Sequence, residues 1–503
     1  MTRPYDYSGV TRGADGIARY DNLHDSLVEM LRATVDRSPN AEAVVELGGE
    51  RVNYRQLWDR SSRIAGGLKA MGVARGDRVA IQLGNGLDWC LAFWGIQMCG
   101  AIAVPVNTRF AEPEVEYVIN DSGSRFSFKP GKAGAALPDG APFATEGAQQ
   151  EEVAAIFYTS GTTGFPKGAM TTHANFLTNN ENCVRVVNLP ADGSLRTLVS
   201  VPLFHVTGCN SQFLVSCSGG GATVIMPAFN VQEFLKAIVA ERTNSVTSVP
   251  AIHWLAINQP NFKEFDVSHV RWLTYGGAPI APELVGKLME AFPNARVGNG
   301  FGLSETSSVA TFLPHEYSRD HADSVGFAAP VVDLQLFEPD AETSVGELLI
   351  RGANVVKGYW NKPEATADAF VNGWLHTGDM ARISDDGLVY IVDRKKDMIC
   401  RGGENVYCVE VENALAAHPA VFEVAVIGVP DDVMGEKVGA VIVPRPGQQA
   451  DAAEIIAFAR EHLADFKVPQ YLVIRAEPLP RNPGGKILKP ALRKSIEWGK
   501  PIR

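Results

Sequence analysis

Tyr158-Thr159-Ser160-Gly161-Thr162-Thr163-Gly164-Phe165-Pro166-Lys167-Gly168 joins an apolar run, Val153 to Phe157, to a segment from Ala174 to Val187 with helical spacing. The run reads as a short buried strand. Four aliphatic hydroxyls, three glycines and one lysine share these eleven residues. Glycines let backbone N–H groups converge on one point, where an anion can sit. The hydroxyls add donors and the lysine adds a mobile charge. The loop is expected to hold phosphate. It is not the nucleoside-triphosphatase loop, which needs Gly before the lysine and Ser or Thr after it; here Pro166 and Gly168 stand there.

At 503 residues the chain is too long for one ordinary core, so two or more domains are expected. Its 46% apolar and 20% charged composition is that of a globular protein. A net charge of −11 argues against nucleic acid as partner. Residues 1–22 read as a loosely held extension without a signal-peptide core, and no apolar run reaches transmembrane length. Peripheral contact with a membrane stays open. The seven cysteines have no metal-ligand spacing and mostly apolar neighbours, which suits free thiols in the cytoplasm.

Toward the N-terminus, strand-like Arg78 to Leu83 and Ala101 to Val106 flank helix-like Trp89 to Met98, a βαβ rhythm that favours a parallel sheet. Lys129 to Gln150 has no periodicity and reads as a surface excursion. Further strands are expected at 222–226, 245–250 and 271–275. The last runs into Gly276-Gly277-Ala278-Pro279, a turn at a strand's carboxyl end, where open α/β sheets bind ligands. In Asn299-Gly300-Phe301-Gly302-Leu303-Ser304-Glu305, an aromatic between glycines can offer its face to a purine. The Glu305 carboxylate is a suitable oxygen ligand for Mg²⁺ held against triphosphate.

Thr-Ser-Gly-Thr-Thr-Gly-x-Pro-Lys-Gly at 159–168 closely resembles the signature of the acyl-adenylate-forming superfamily, which includes acyl-CoA synthetases. The resemblance runs from about Leu23 to Arg493 through at least five motifs in family order. It implies an α/β fold: a large N-terminal adenylation domain of several subdomains at 1–393, and a small mobile α+β C-terminal lid at 394–503. It also implies the reaction. ATP and a carboxylic acid give an acyl-adenylate, and coenzyme A then takes the acyl group.

Residue by residue, the resemblance assigns Thr159, Ser160, Gly161, Thr162, Thr163, Gly164 and Lys167 to the phosphates, and Gly277, Ala278, Pro279, Asn299, Gly300, Phe301, Gly302 and Ser304 to the rest of the nucleotide. Phe301 and Ser304 stand where the family usually has Tyr and Thr; stacking and the hydroxyl both survive. Thr159 and Glu305 would hold Mg²⁺. Asp379, in Trp374-Leu375-His376-Thr377-Gly378-Asp379, matches the ribose-binding aspartate, a role that needs a fixed carboxylate. Arg394 matches the ribose and phosphate arginine, and Lys396 the hinge. Gly402, Gly403 and Glu404 match the segment that meets pantetheine, where the family often continues with proline and this chain has Cys408. Lys486, on a Gly-Gly loop, matches the adenylation lysine, whereas Lys489 is expected on a solvated face.

His205 matches the histidine that borders the acyl pocket, and Lys167, His205, Glu305 and Lys486 are the catalytic candidates. Asn210, Trp254, Gly277 and Ser307 complete the expected pocket. No Lys or Arg lies in those segments, so a second carboxylate on the substrate would be buried unpaired. A medium- or long-chain fatty acid is the first expectation, and an aromatic or steroid-derived acid the second. A carrier-protein thiol remains an alternative acceptor to coenzyme A, and the chain is expected as a monomer or homodimer.

Overall fold

A computed structural model describes residues 4–130, 137–159, 166–278, 280–402, 404–481 and 487–502. Of the expected site residues, Ser160, Gly161, Thr162, Thr163, Gly164, Pro279, Gly403 and Lys486 lie outside these. The protein is α/β, with two compact units: Met1–Leu334 with Ile350–His376, and Gln335–Leu349 with Thr377–Arg503.

The larger unit carries two large sheets. In the first, the strands Arg296–Phe301, Trp272–Gly276, Ser245–Ser248, Arg196–Val199, Ala222–Ile225 and Glu42–Glu46 lie side by side in that order, all parallel. Antiparallel strands flank them, Thr311–Leu313 at one end and Arg51–Asn53 at the other. The second sheet runs Phe126–Phe128, Arg78–Ile81, Ile102–Pro105, Val153–Thr159, Lys167–Thr172, parallel except for its last strand. Strands buried on both faces read as continuous apolar runs, which is why Arg78–Ile81, Ile102–Pro105, Val153–Thr159, Ala222–Ile225, Ser245–Ser248 and Trp272–Gly276 were legible.

Between the sheets lies the helix Leu87–Cys99, apolar all round and buried at every residue but Asp88. A helix of that kind can only be a core element. Trp89 stacks on Phe93 at 5.5 Å, and Phe213 meets Trp94 edge-on at 6.1 Å. The same cluster takes in Val44, Val199 and Ile225 of the first sheet and Val79, Ala103 and Phe157 of the second.

The expectation for the start of this unit changes, and the described part of the excursion keeps to the surface. The start is not a loose extension, because Val10–Arg12 pairs with Ala18–Tyr20 and Tyr20 buries its ring, donating its hydroxyl to Asn182 Oδ1 at 2.7 Å. Arg12 also meets Asp333 at 2.7 Å. The described part of the excursion, from Leu137 onward, lies back on the helix Tyr54–Ala70. Gly66 there leaves no room for a side chain, since a Cβ would stand 1.8 Å from the Ala141 carbonyl oxygen.

The smaller unit is α+β. Val421–Asp431 and Gly435–Pro444 form a long antiparallel pair, and Tyr471–Ile474 adds in parallel. Ile399–Arg401 and Glu404–Val406 complete that sheet. Cys408–Ala416 and Ala452–His462 cover one face over Ile399, Val426, Val438 and Ile442. Packing groups residues 377–393 with this unit rather than dividing the chain at 393/394. Strand pairing of Asp379 with Arg394 and a 2.7 Å bond from Thr377 Oγ1 to the Leu348 carbonyl hold them there.

Candidate active site

Four neighbouring parallel strands of the first sheet deliver candidate residues at or just beyond their carboxyl ends. Arg296–Phe301 leads to Phe301 and Glu305, Trp272–Gly276 to Gly277, Ser245–Ser248 to the helix bearing Trp254, and Arg196–Val199 to His205. Ligands of open parallel sheets bind at that edge. Gly276 and Gly300 face each other across strands so closely that a Cβ on Gly276 would stand 2.3 Å from the Gly300 carbonyl oxygen. Gly302 is equally constrained, its missing Cβ 1.3 Å from the Ser308 oxygen. Gly277 has φ +75, a conformation few side chains tolerate, and is exposed. Ala278 beside it and Ser304 are half-buried, as is Phe301. Asn299 is buried, and its amide is committed to the Ser324 carbonyl at 3.0 Å.

The phosphate loop joins two strands, not a strand to a helix. Val153–Thr159 turns back as Lys167–Thr172, with Thr159 opposite Lys167, before the helix His173–Val187 begins. Thr159 Oγ1 donates to the Lys167 carbonyl at 3.4 Å. The strand Lys167–Thr172 was hidden in the sequence because Gly168 and the paired threonines read as loop.

Tyr359 gathers the two motifs, and sequence reasoning missed it. Its hydroxyl donates to Glu305 Oε1 at 2.7 Å, and Lys167 Nζ lies 5.1 Å from its ring centroid. Burial first, then the adjoining carboxylate, holds its phenol protonated well above the ordinary range. The only sequence signal was an aromatic pair after Gly358, which reads as core.

Among the described residues no three His, Cys, Asp or Glu cluster as a metal cage. A lone carboxylate fits Mg²⁺ nonetheless, because that ion keeps waters and takes substrate phosphates for its other positions.

His205 caps the short helix Val206–Gly208; its Nδ1 accepts from the Thr207 N–H at 3.3 Å, so Nε2 carries the proton, and the residue is exposed. A five-residue π-helical turn, Cys209–Phe213, follows, a feature frequent at functional sites. It carries Asn210, whose Nδ2 donates to the Ser307 carbonyl at 3.0 Å. Ser307 and Ser308 have φ +55 and +112, rare for residues with a side chain, and Ser211 Oγ donates to Ser308 Oγ at 2.7 Å. Asn210 and Ser307 are thus brought together. Trp254 packs with the separate cluster of Tyr275 and Ile280. Gly277 adjoins the start of the Trp254 helix, where a Cβ on it would stand 3.9 Å from Val249 Cγ1.

In the smaller unit, Arg394 Nε meets Asp379 Oδ1 at 2.5 Å, with Asp379 2% exposed. Lys395 and Lys396 are exposed on a turn closed by the Asp397 N–H to the Arg394 carbonyl at 2.8 Å. Asp393, just before it, accepts from the Arg394 N–H at 2.7 Å and from the Cys408 N–H. Cys408 opens its helix and also donates its thiol to the Asp397 carbonyl at 3.0 Å. Gly402 has φ +61 and donates to the Met434 carbonyl at 2.8 Å; Glu404 is exposed. Lys489 is not solvated. It is buried in an ion pair with Glu412, since the helix Lys489–Ser495 docks that end against the sheet core.

Candidate residues gathered at the carboxyl edge of a parallel sheet, a loop sequence rich in glycine and hydroxyls, and a smaller α+β unit are the features expected of an adenylate-forming enzyme. Residues 31–360 match the model of the AMP-binding enzyme family and residues 410–486 that of its C-terminal domain. The chain belongs to the AMP-binding enzyme family. It is 37% identical to a long-chain-fatty-acid–CoA ligase of Mycobacterium tuberculosis over 92% of this chain and 97% of that one. It is 36% identical to a feruloyl-CoA synthase of an Amycolatopsis species, over 91% and 96%. Among solved structures, a Mycobacterium tuberculosis fatty acyl CoA synthetase aligns with a TM-score of 0.73 at 34% identity, covering 93% of this chain and 98% of that one. The protein is an AMP-forming acid–thiol ligase that uses ATP and coenzyme A.

Proposed function

We propose that this ligase activates a medium- or long-chain fatty acid, with Lys167, Glu305 and Lys486 serving the adenylation step. The gathering of Lys167 and Glu305 on Tyr359, a cation and a carboxylate from two sheets, is the observation that carries the assignment of the triphosphate to this edge. The similarity to the Mycobacterium tuberculosis ligase supports the choice of acid.

A carboxylate is a poor electrophile. Its oxygen attacks the α-phosphorus of ATP, the bond to the pyrophosphate oxygen breaks, and the acid carries AMP as a leaving group. No base is needed, because the acid is already ionised. Glu305, with Thr159, would hold Mg²⁺, which when bound draws charge off the triphosphate. Lys167 and Lys486 are assigned to the charge that develops on the phosphoryl oxygens. Asp379 and Arg394 are assigned to ribose and phosphate, and Phe301 to the purine. The coenzyme A sulfur then attacks the acyl carbon, losing its proton, and AMP leaves with the bonding pair. Gly402, Gly403 and Glu404 are assigned to pantetheine. Lys396 is the proposed pivot for the change between half-reactions, with residues 394–503 as the moving part. His205 is assigned to the entry of the acyl pocket.

A hydroxylated aromatic acid is the second reading, favoured by one observation. Asn210 Oδ1 and Ser307 Oγ are buried with no hydrogen-bond partner among the described residues. An alkyl chain would leave them so, whereas a phenol would pair with them. The feruloyl-CoA synthase relative fits the same reading. The cysteines are free and all but Cys400 buried, which supports a cytoplasmic protein, proposed as a monomer or homodimer.

Purified enzyme given ATP, Mg²⁺, coenzyme A and octanoate, palmitate, ferulate or a bile acid tests this by AMP release. Release highest with a fatty acid upholds the first reading, and release highest with ferulate replaces it by the second. A bile-acid maximum refutes both.

A further inference from the structure

Tyr359 does more than fill space. The segment 356–360 is laced to both motifs by its backbone. The Val356 N–H donates to the Glu305 carbonyl at 2.9 Å, Met170 N–H to the Gly358 carbonyl at 3.0 Å, and Trp360 N–H to the Gly168 carbonyl at 2.7 Å. Gly358, at φ +129, lies against Thr366, whose Oγ1 accepts from the Tyr359 N–H at 2.9 Å. A tyrosine fixed on so many sides has one position for its hydroxyl. That position is Glu305 Oε1.

A carboxylate free to rotate offers a metal either oxygen or both. With Oε1 bound, one oxygen is committed to the phenol and Oε2 is the one left to present. Among the described residues Oε2 has no partner. The ring beneath this hydroxyl lies 5.1 Å from Lys167 Nζ, a cation–π distance, so one side chain bears on both the carboxylate and the ammonium.

We propose that Tyr359 is a positioning residue for adenylation, fixing Glu305 to bind the divalent cation through Oε2 alone while its ring restrains Lys167. The proposal rests on the reading of Glu305 as the metal ligand. Tyr359 itself touches neither substrate nor metal in this scheme. A phenylalanine there would keep the ring and the backbone lacing but free the carboxylate.

Mn²⁺ binding in the presence of α,β-methylene-ATP, followed by the electron paramagnetic resonance of free Mn²⁺, separates the possibilities without turnover. Tyr359→Phe should weaken Mn²⁺ binding by about tenfold, the worth of one charge-assisted hydrogen bond. In a cycle with Glu305→Gln the same change should have no further effect, which a merely structural role would not produce. Tyr359→Leu, which also loses the ring, should add a rise in the KM for ATP. Wild-type Mn²⁺ affinity in Tyr359→Phe, with Glu305→Gln weakened, overturns the proposal and leaves Glu305 as ligand. Wild-type affinity in Glu305→Gln overturns both.

Discussion

Lys489 Nζ lies 2.8 Å from Glu412 Oε1, with the two side chains only 12% and 16% exposed. Burial pushes the Glu412 carboxyl upward and the Lys489 ammonium pulls it back. Burial likewise opposes the Lys489 charge, but Glu412 outweighs it and holds the ammonium above its ordinary value. Removing one partner leaves the other charge buried and uncompensated, at a cost of about 3–5 kcal/mol. Lys489→Met should therefore lower the unfolding midpoint of the smaller unit sharply. The double change Lys489→Met with Glu412→Leu should recover much of it. A Lys489→Met protein as stable as wild type in a urea titration would refute this.

The lysine three positions earlier is expected to behave differently. Lys486→Ala should lose about 3 kcal/mol of transition-state stabilisation, or two orders of magnitude in the rate of pyrophosphate release. It should still convert supplied acyl-adenylate and coenzyme A to thioester. Since Lys489 is buried, exposed Lys494 is the proper control, and Lys494→Ala should match wild type in both assays. Equal loss of both half-reactions in Lys486→Ala would end the assignment.

Proline at Lys396 would fix φ near −65° and remove an N–H within the Arg394–Asp397 turn. Thioester formation should then slow more than adenylation, so acyl-adenylate should accumulate in quenched reactions. If both steps slow alike, the pivot is elsewhere.

Two buried histidines set the acid limit. His173 Nδ1 accepts from the Leu27 N–H at 3.3 Å, and His253 Nε2 donates to the Thr274 carbonyl at 3.0 Å. Burial pushes each from 6.5 to about 4. Between those values the unfolded chain binds protons that the folded one refuses, so stability rises with pH there and is lost as pH falls from 6.5 toward 4. Each shift is worth roughly 3 kcal/mol at its acid end. The urea midpoint should drop between pH 7 and 5, and His173→Asn should flatten that slope. A midpoint unchanged across the range would contradict the argument.

Local chemistry was legible in the chain and distant pairing was not. The glycines flanking Phe301 marked a special position for its ring, and the stretch from Trp89 to Met98 was read as a helix between two strands, as it is. Lys167–Thr172 escaped because a strand rich in glycine and threonine carries no alternation. Tyr359 escaped because its meaning lies in Glu305 and Lys167, remote in sequence and joined only by folding. Lys489 was misplaced because a lysine reads as solvated until a buried carboxylate is found beside it.

Cys408 stands where proline often stands in the family, and its N–H donates to buried Asp393. Proline suits the first position of a helix but has no proton to give. Proline here would take the donor from Asp393 Oδ2 and leave the Arg394 N–H on Oδ1, a loss to a carboxylate that burial already disfavours. The two positions are therefore coupled: Cys408→Pro costs less in a chain whose residue 393 is uncharged, so the two substitutions do not simply add.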